Sequence, residues 1–133
     1  MYYLLDTNIC IYIARHHPPE VAGRFERLHP GEVGMSMITY GELLLGAEKS
    51  QHPAQARERL QRFIKLVPVL TLPNESPHYY AHIRAKLERA GTPIGPNDLW
   101  IAAHALTSDL TLVSNNLREF GRIAELKTEN WTH

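Results

Sequence analysis

The sequence predicts an α/β fold built on a mainly parallel sheet. Short apolar runs alternate along the chain with longer segments of helical periodicity. The first run, Tyr2–Leu5, is apolar throughout, as expected for a strand covered on both faces. Polar residues with chemical potential follow the runs directly, and open α/β sheets place their chemistry at the carboxyl ends of strands, beside the point where strand order reverses.

Taken in order, Tyr2–Leu5 is the first strand. Ile9, Tyr12 and Ile13 then recur at helical spacing until Pro18-Pro19 ends the pattern. A second helical segment, Glu20 to Leu28, stops at Pro30-Gly31. Val33–Ile38 reads as the second strand, and Thr39–Lys49 as a helix with Leu43, Leu44 and Ala47 on one stripe. Ala54–Lys65 is a clearer helix: Leu60, Phe63 and Ile64 are apolar, while Arg57, Arg59 and Arg62 fall mostly on the wet side. Pro68 limits Val67–Leu72 to a short edge strand. Ser76–Ala90 is a long helix carrying Tyr80, Ile83 and Leu87. Gly91-Thr92-Pro93-Ile94-Gly95-Pro96 is the strongest loop signal. Beyond it, Asp98–Thr107 resumes a helix, with Ile101, Ala102 and Ala105 inward. Leu110–Val113 is a strand, Asn116–Phe120 a short helical turn and Glu125–Thr128 a last short strand.

The 133 residues fit one domain, 1–133, long enough to bury roughly two-thirds of the unfolded surface without staples. At 44% hydrophobic and 21% charged, the composition excludes a disordered tail, a collagen and a disulfide scaffold. Cys10 is the single cysteine, set in an apolar stretch with no cation beside it, and reads as an inert buried residue. Met1–Asp6 lacks the basic start and long apolar stretch of a signal peptide. No run approaches the ~18–20 apolar residues of a membrane span. The expected location is the cytoplasm. Fourteen Lys+Arg balance 14 Asp+Glu, which argues against a protein that coats DNA by bulk attraction.

Asp6-Thr7-Asn8 follows the first strand, Thr39-Tyr40-Gly41-Glu42 the second, and Ser114-Asn115-Asn116 the strand Leu110–Val113, with Glu119 close behind; Asn97-Asp98 opens the helix after the Gly/Pro loop. Each has a local job open to it. Asp6 can cap the first helix, Thr39 and Glu42 spell a capping box, and Asn97, Asp98, Asn115 or Asn116 can cap the helices they precede. Capping alone gives no reason for several acids to meet at one end of one sheet. Converging carboxylates repel each other and call for a cation. Oxygen donors without a second Cys or His spacing suit Mg²⁺ or Mn²⁺ rather than Zn²⁺, and His16, His17 and His104 form no zinc pattern. Such an ion lowers the pKa of a bound water and stabilises charge on phosphoryl oxygens, which points to chemistry at a phosphate.

Four stretches, in order, carry a resemblance: Leu4-Leu5-Asp6-Thr7-Asn8, Ile38-Thr39-Tyr40-Gly41-Glu42-Leu43, Gly95-Pro96-Asn97-Asp98-Leu99-Trp100-Ile101-Ala102, and Leu112-Val113-Ser114-Asn115-Asn116-Leu117-Arg118-Glu119-Phe120. Together they resemble the signatures of PIN-domain ribonucleases, and more narrowly the VapC toxins of bacterial type II toxin–antitoxin systems. Asp-Thr-Asn alone is a common tripeptide; four motifs over the whole chain are specific. The resemblance implies a PIN-like three-layer α/β/α fold with a mainly parallel five-stranded sheet, and Mg²⁺- or Mn²⁺-dependent cleavage of RNA. By position, Asp6 and Asp98 look like the direct metal ligands, and Glu42 completes the pocket as a ligand or as a holder of the attacking water. Asn116 and Glu119 fall where many relatives place an aspartate, so one or the other is the fourth site residue. Thr7, Asn8 and Ser114 would orient carboxylates or waters. A VapB-type antitoxin partner with its C-terminal segment in the toxin groove, a homodimer and no membrane association are also implied. The fourth motif and the Gly/Pro loop resemble the branch that cuts initiator tRNA in the anticodon loop, making tRNA the expected substrate.

Arg118 and Arg122, beside the acidic motif, are expected to touch the RNA strand. Arg57, Arg59, Arg62 and Lys65, like Arg84, Lys86 and Arg89, read first as solvated helix faces and second as phosphate contacts. Trp100 reads as core or dimer interface before base stacking. Two other functions stand against the nuclease. A phosphoacceptor domain would want paired acids after the first strand and a late Lys, whereas Asp6 stands alone and the late strand leads to Ser114-Asn115-Asn116. A non-catalytic RNA- or protein-binding module would have lost an acid, whereas Asp6, Glu42 and Asp98 are all present. The zero net charge thus resolves into an expected acidic pocket flanked by basic helices.

Overall fold

The computed structural model describes residues 1–132. Among them five strands form one sheet: β1 (Tyr3–Leu5), β2 (Val33–Ser36), β3 (Val69–Leu70), β4 (Thr111–Val113) and β5 (Thr128–Glu129). Their order is β3-β2-β1-β4-β5, and every pairing is parallel. The chain starts at the centre, steps outward to β3, then crosses back to the other side of β1. Strand order therefore reverses between β1 and β4, and a crevice opens there at the carboxyl ends.

The helices are α1 (Thr7–Arg15), α2 (Pro19–Glu26), α3 (Met37–Glu48), α4 (Pro53–Leu66), α5 (Ser76–Arg89), α6 (Pro96–Thr107) and α7 (Leu117–Phe120). Side-chain alternation along β1 splits them into two layers. Leu4 enters a core with Ile83 and Leu87 of α5, Leu99, Ile101, Ala102 and Ala105 of α6, and Phe120. Leu5 enters a second core with Ile9, Cys10 and Ile13 of α1, Val21 of α2, Phe63 of α4 and Trp131. Leu4 and Leu5 are both fully buried, so Leu→Ala at either would cost roughly 2–5 kcal/mol. This is the expected three-layer arrangement.

Most element ends shift by a residue or two from those expected, and three of the differences have a clear local cause. β2 stops at Ser36 rather than Ile38, because the Ser36 hydroxyl accepts the Ile38 N–H at 3.2 Å and starts α3 at Met37. Thr39 consequently lies inside the helix, and the expected capping box does not form. The last strand is Thr128–Glu129 rather than Glu125–Thr128: the Leu126 N–H donates to the Ile123 carbonyl in a turn, and Glu125 reaches Lys86 at 3.3 Å. α6 starts at Pro96, whose missing N–H costs nothing at the first helical position. The edge strand after Pro68 is as expected, and Pro68 still offers its carbonyl to the Met35 N–H at 2.9 Å. Gly91 takes φ +72°, a conformation that favours glycine, as the chain leaves α5 for the loop. No helix among the described residues is long and apolar enough to cross a membrane.

Candidate active site

Asp6 stands where β1 ends, at the reversal point. Its N–H donates to the Val113 carbonyl at 3.0 Å, and its carboxylate caps α1 by accepting the Ile9 N–H at 3.0 Å. The capping role expected for Asp6 is real, and it holds the acid in the crevice. Burial pushes the Asp6 carboxyl up to about 6. Hydrogen bonds from Ser114 and Ile9 act against this, while Asp98 and Glu42 repel the charge and raise it further. Ser114 is fully buried at the end of β4. Its N–H donates to the Glu129 carbonyl at 3.0 Å, and its hydroxyl accepts the Asn116 N–H at 2.9 Å.

Asp98 is the third residue of α6. Gly95 occupies the cap position and Asp98 makes no capping bond, so its carboxylate is left to the crevice. Its pKa is raised by burial, then by Glu119 and by Glu42. Glu42 reaches the crevice from α3, where its Oε1 accepts the Thr7 hydroxyl at 2.5 Å. The Thr7 hydroxyl also lies 3.4 Å from that of Thr39. Glu119, half-buried on α7, stands close enough to Asp98 to raise its pKa.

The four acids thus sense one another: Asp6 with Asp98 and Glu42, and Asp98 with Glu42 and Glu119. They share an electrostatic neighbourhood rather than a closed cage. Among the described residues, no three His, Cys, Asp or Glu side chains stand close enough to hold an ion as placed. The donor set consists of carboxylate and hydroxyl oxygens only, with Asp6 and Asp98 desolvated and mutually repelled. Such a set fits a hard divalent cation that keeps part of its water shell.

The other expected residues are more scattered. Asn8 is exposed on the first turn of α1. Asn116 occupies the cap position of α7 without a side-chain capping bond. Arg118 is exposed, and Arg122 donates through Nη1 to the Pro93 carbonyl at 3.0 Å, linking the end of α7 to the loop ahead of Asp98. Trp100 stacks on Tyr80 with centroids 3.9 Å apart and planes at 11°, so packing is its role here. Cys10 is buried, and burial pushes its thiol well up.

Thr39, expected in a capping box, lies instead beside Thr7 under Glu42; its i, i+3 spacing from Glu42 puts both on one helix face. Tyr12 has a positioning role that no motif marks: its hydroxyl accepts the Asn115 side-chain N–H at 2.8 Å and ties α1 to the β4–α7 loop. No local pattern links residues 103 positions apart.

Beside the acids runs a groove of about 870 Å³ walled by α1, α2, α3 and α4. Ile13, Phe25, Leu43, Leu60 and Phe63 supply its apolar surface, and it meets the acidic pocket through Glu42.

Comparison with known proteins agrees with this architecture. The PIN domain family matches residues 3–126. Ribonuclease VapC2 of Haemophilus influenzae is 43% identical over 129 residues, covering 97% of both chains. The tRNA(fMet)-specific endonuclease VapC of Shigella flexneri is 41% identical over 130 residues, covering 98% of both. Among solved structures, VapBC-1 of nontypeable Haemophilus influenzae superposes with a TM-score of 0.92 at 40% identity, covering both chains fully. The DNA-bound VapBC of Salmonella typhimurium gives 0.91 at 40% identity over 98% of each chain. With its signature acids gathered at the reversal point of a five-stranded parallel sheet, the chain belongs to the PIN-domain family and, within it, to the VapC ribonucleases.

Proposed function

We propose that this chain is the toxin of a toxin–antitoxin pair, a Mg²⁺- or Mn²⁺-dependent endoribonuclease that cuts tRNA, with the anticodon loop of initiator tRNA as the narrower target. The observation that carries the reading is the coupling of Asp6, Glu42, Asp98 and Glu119 at the strand-order reversal. The tRNA(fMet)-specific relative, at 41% identity, supports the substrate.

In this reading Asp6 and Asp98 hold the metal, with Glu42 and Glu119 around it and Asn116 on the rim. A bound Mg²⁺ or Mn²⁺ supplies a water of lowered pKa and offsets charge developing on the phosphoryl oxygens. The chain's own contribution is placement. The β1–β4 pairing fixes Asp6, Ser114 keeps its carboxylate oriented, Thr7 holds Glu42 to accept a proton from the attacking water, and Asn8 lines the entrance. Arg118, with the free donors of Arg122, meets the RNA strand. The apolar groove beside Glu42 fits the C-terminal segment of a VapB-type antitoxin, the partner present in the related VapBC complexes. The setting is cytoplasmic and the working form a homodimer.

The test is incubation of the purified protein with total tRNA and Mg²⁺ or Mn²⁺, followed by mapping of cut ends. Discrete cuts are expected that vanish with EDTA and with Asp6→Asn or Asp98→Asn. Equal cutting by those variants would sink the metal–carboxylate mechanism.

A further inference from the structure

We propose that Arg15 and Arg59, set on α1 and α4 along the groove, are RNA-positioning residues that grip the phosphate backbone of the strand leading away from the carboxylates. The proposal rests on the reading of the chain as a ribonuclease, and it assigns the groove a task in the free enzyme.

Four carboxylates at one crevice repel an RNA backbone, and a chain with no net charge offers no bulk attraction to offset them. Screening confines useful attraction to cations within about 8–10 Å of the strand. Compensating charge must therefore lie on a surface continuous with the site, and the groove is continuous with it through Glu42.

The pattern of ion pairs then selects the cations. On α4, Arg57 is bound to Glu48 at 2.8 Å and Arg62 to Glu58 at 3.0 Å. Arg84 and Lys86 on α5 are bound to Glu88 and Glu125, and Arg24 to Glu129. Among the described residues Arg15 and Arg59 have no ion-pair partner, and both line the groove, one on each flank. Beyond Glu42, the groove's carboxylates reduce to Glu26 on α2, against Arg15, Arg59 and Arg62. The apolar wall beneath gives the arginine stems a surface to lie on, leaving the guanidinium groups free for bidentate bonds to phosphate oxygens. The bland alternative for Arg59 is a solvated helix face, and for Arg15 a favourable charge at the C-terminus of α1. Neither explains why, of the three arginines that line the groove reaching Glu42, the two outside any ion pair stand on opposite flanks of it.

The test uses Arg15→Gln, Arg59→Gln and the double variant, with Arg57→Gln as a control for a paired arginine outside the groove. Two quantities are read: cleavage of total tRNA with Mg²⁺, split into kcat and KM, and binding of a labelled single-stranded oligoribonucleotide to the Asp98→Asn background at several salt concentrations. The expected result is a KM and Kd raised roughly fivefold for each arginine, with kcat within about twofold. The slope of log affinity against log salt should fall by about 0.7 for each lost contact, and Arg57→Gln should change neither. Unchanged affinity and slope would overturn the proposal, as would equal losses in Arg57→Gln. So would weakened binding of an antitoxin C-terminal peptide alone, which would assign the arginines to the protein partner. A wild-type chain that binds the oligoribonucleotide in this pattern but cuts no RNA would defeat the nuclease reading and leave the grip standing. Normal cutting with no arginine effect would do the reverse.

Discussion

The four carboxylates divide into two pairs that the fold treats differently. Asp6 and Asp98 are placed by backbone. Asp6 is held between β1 and β4 and caps a helix, while Asp98 rides on a helix whose start is set by Pro96 and anchored by buried Ile94 and Leu99. Both have raised pKa values, and in both burial is the first cause. Glu42 and Glu119 reach in on longer side chains from α3 and α7, and Glu42 is steered by the Thr7 hydroxyl. The inner pair is set close to the backbone and desolvated; the outer pair reaches in on longer side chains. Desolvated, mutually repelled acids favour a cation and destabilise the fold without one.

Breaking the inner pair should produce the largest effects. Asp98→Asn is expected to lower cleavage roughly 10²–10⁴-fold, because a site built for a cation loses a full charge from its inner pair. Initial rates on tRNA, together with a circular dichroism melt showing the fold intact, check this. A loss under about tenfold would put the two pairs on an equal footing.

Asp6→Asn should abolish cutting and also stabilise the metal-free protein. The Asp6 carboxyl rises from 3.8 to about 6 on folding, so the folded state holds its proton more tightly than the unfolded chain. The resulting penalty is absent well below pH 4, grows as pH rises from about 4 to 6, and is complete at pH 7. It amounts to roughly 2–3 kcal/mol. Asn caps a helix as well as Asp does, so the substitution keeps the cap while removing the charge. At pH 7 in EDTA the melting temperature should rise on the order of 5–10 °C. The gain should shrink at pH 4, and again when Mn²⁺ is added to the wild type. A drop in stability at pH 7 would show that the Ser114 and Ile9 hydrogen bonds outweigh burial.

Outer-pair substitutions should act more weakly. Glu42→Gln is expected to cost about 10–100-fold in kcat, and Thr7→Val about tenfold, since the valine leaves Glu42 charged but unsteered. Titration with Mg²⁺ separates the two, because Thr7→Val should shift the half-activating concentration less than Glu42→Gln does. Equal shifts would mean that Thr7 contributes to metal binding as much as Glu42.

This inner–outer division was half legible in the sequence. Apolar runs followed by Asp6, Glu42 and Ser114 located the strands and the end of the sheet that carries polar groups, because strand burial and strand-end chemistry leave local marks. Asp6 as a helix cap was equally readable. Where two caps competed, the local rule failed. Ser36 took the start of α3 from Thr39, which only the hydrogen bond to Ile38 reveals, and Pro96 moved the start of α6 ahead of Asn97 and Asp98. The last strand slipped because Leu126 serves equally as a strand residue or as a buried turn residue, and the pairing with β4 decides between them. Which acids are desolvated, and the groove that meets Glu42, depend on helices packed from distant parts of the chain.

The smallest expected effect tests whether the outer rim can be converted into part of the inner site. Asn116 sits at the cap of α7 between Ser114 and Glu119 and carries an amide where a charge would raise the site's affinity for a cation. Asn116→Asp preserves the cap preference, so the fold should tolerate it. A fifth carboxylate should add repulsion in the metal-free state, lowering the apo melting temperature by about 1–3 °C. It should also lower the half-activating Mg²⁺ or Mn²⁺ concentration by roughly two- to fivefold, because ligand charge sets affinity for hard ions. Both shifts together, with kcat nearly unchanged, would place Asn116 within reach of the ion. A lower melting temperature without any change in metal requirement would leave Glu119 as the fourth residue of the site and confine Asn116 to starting the α7 turn.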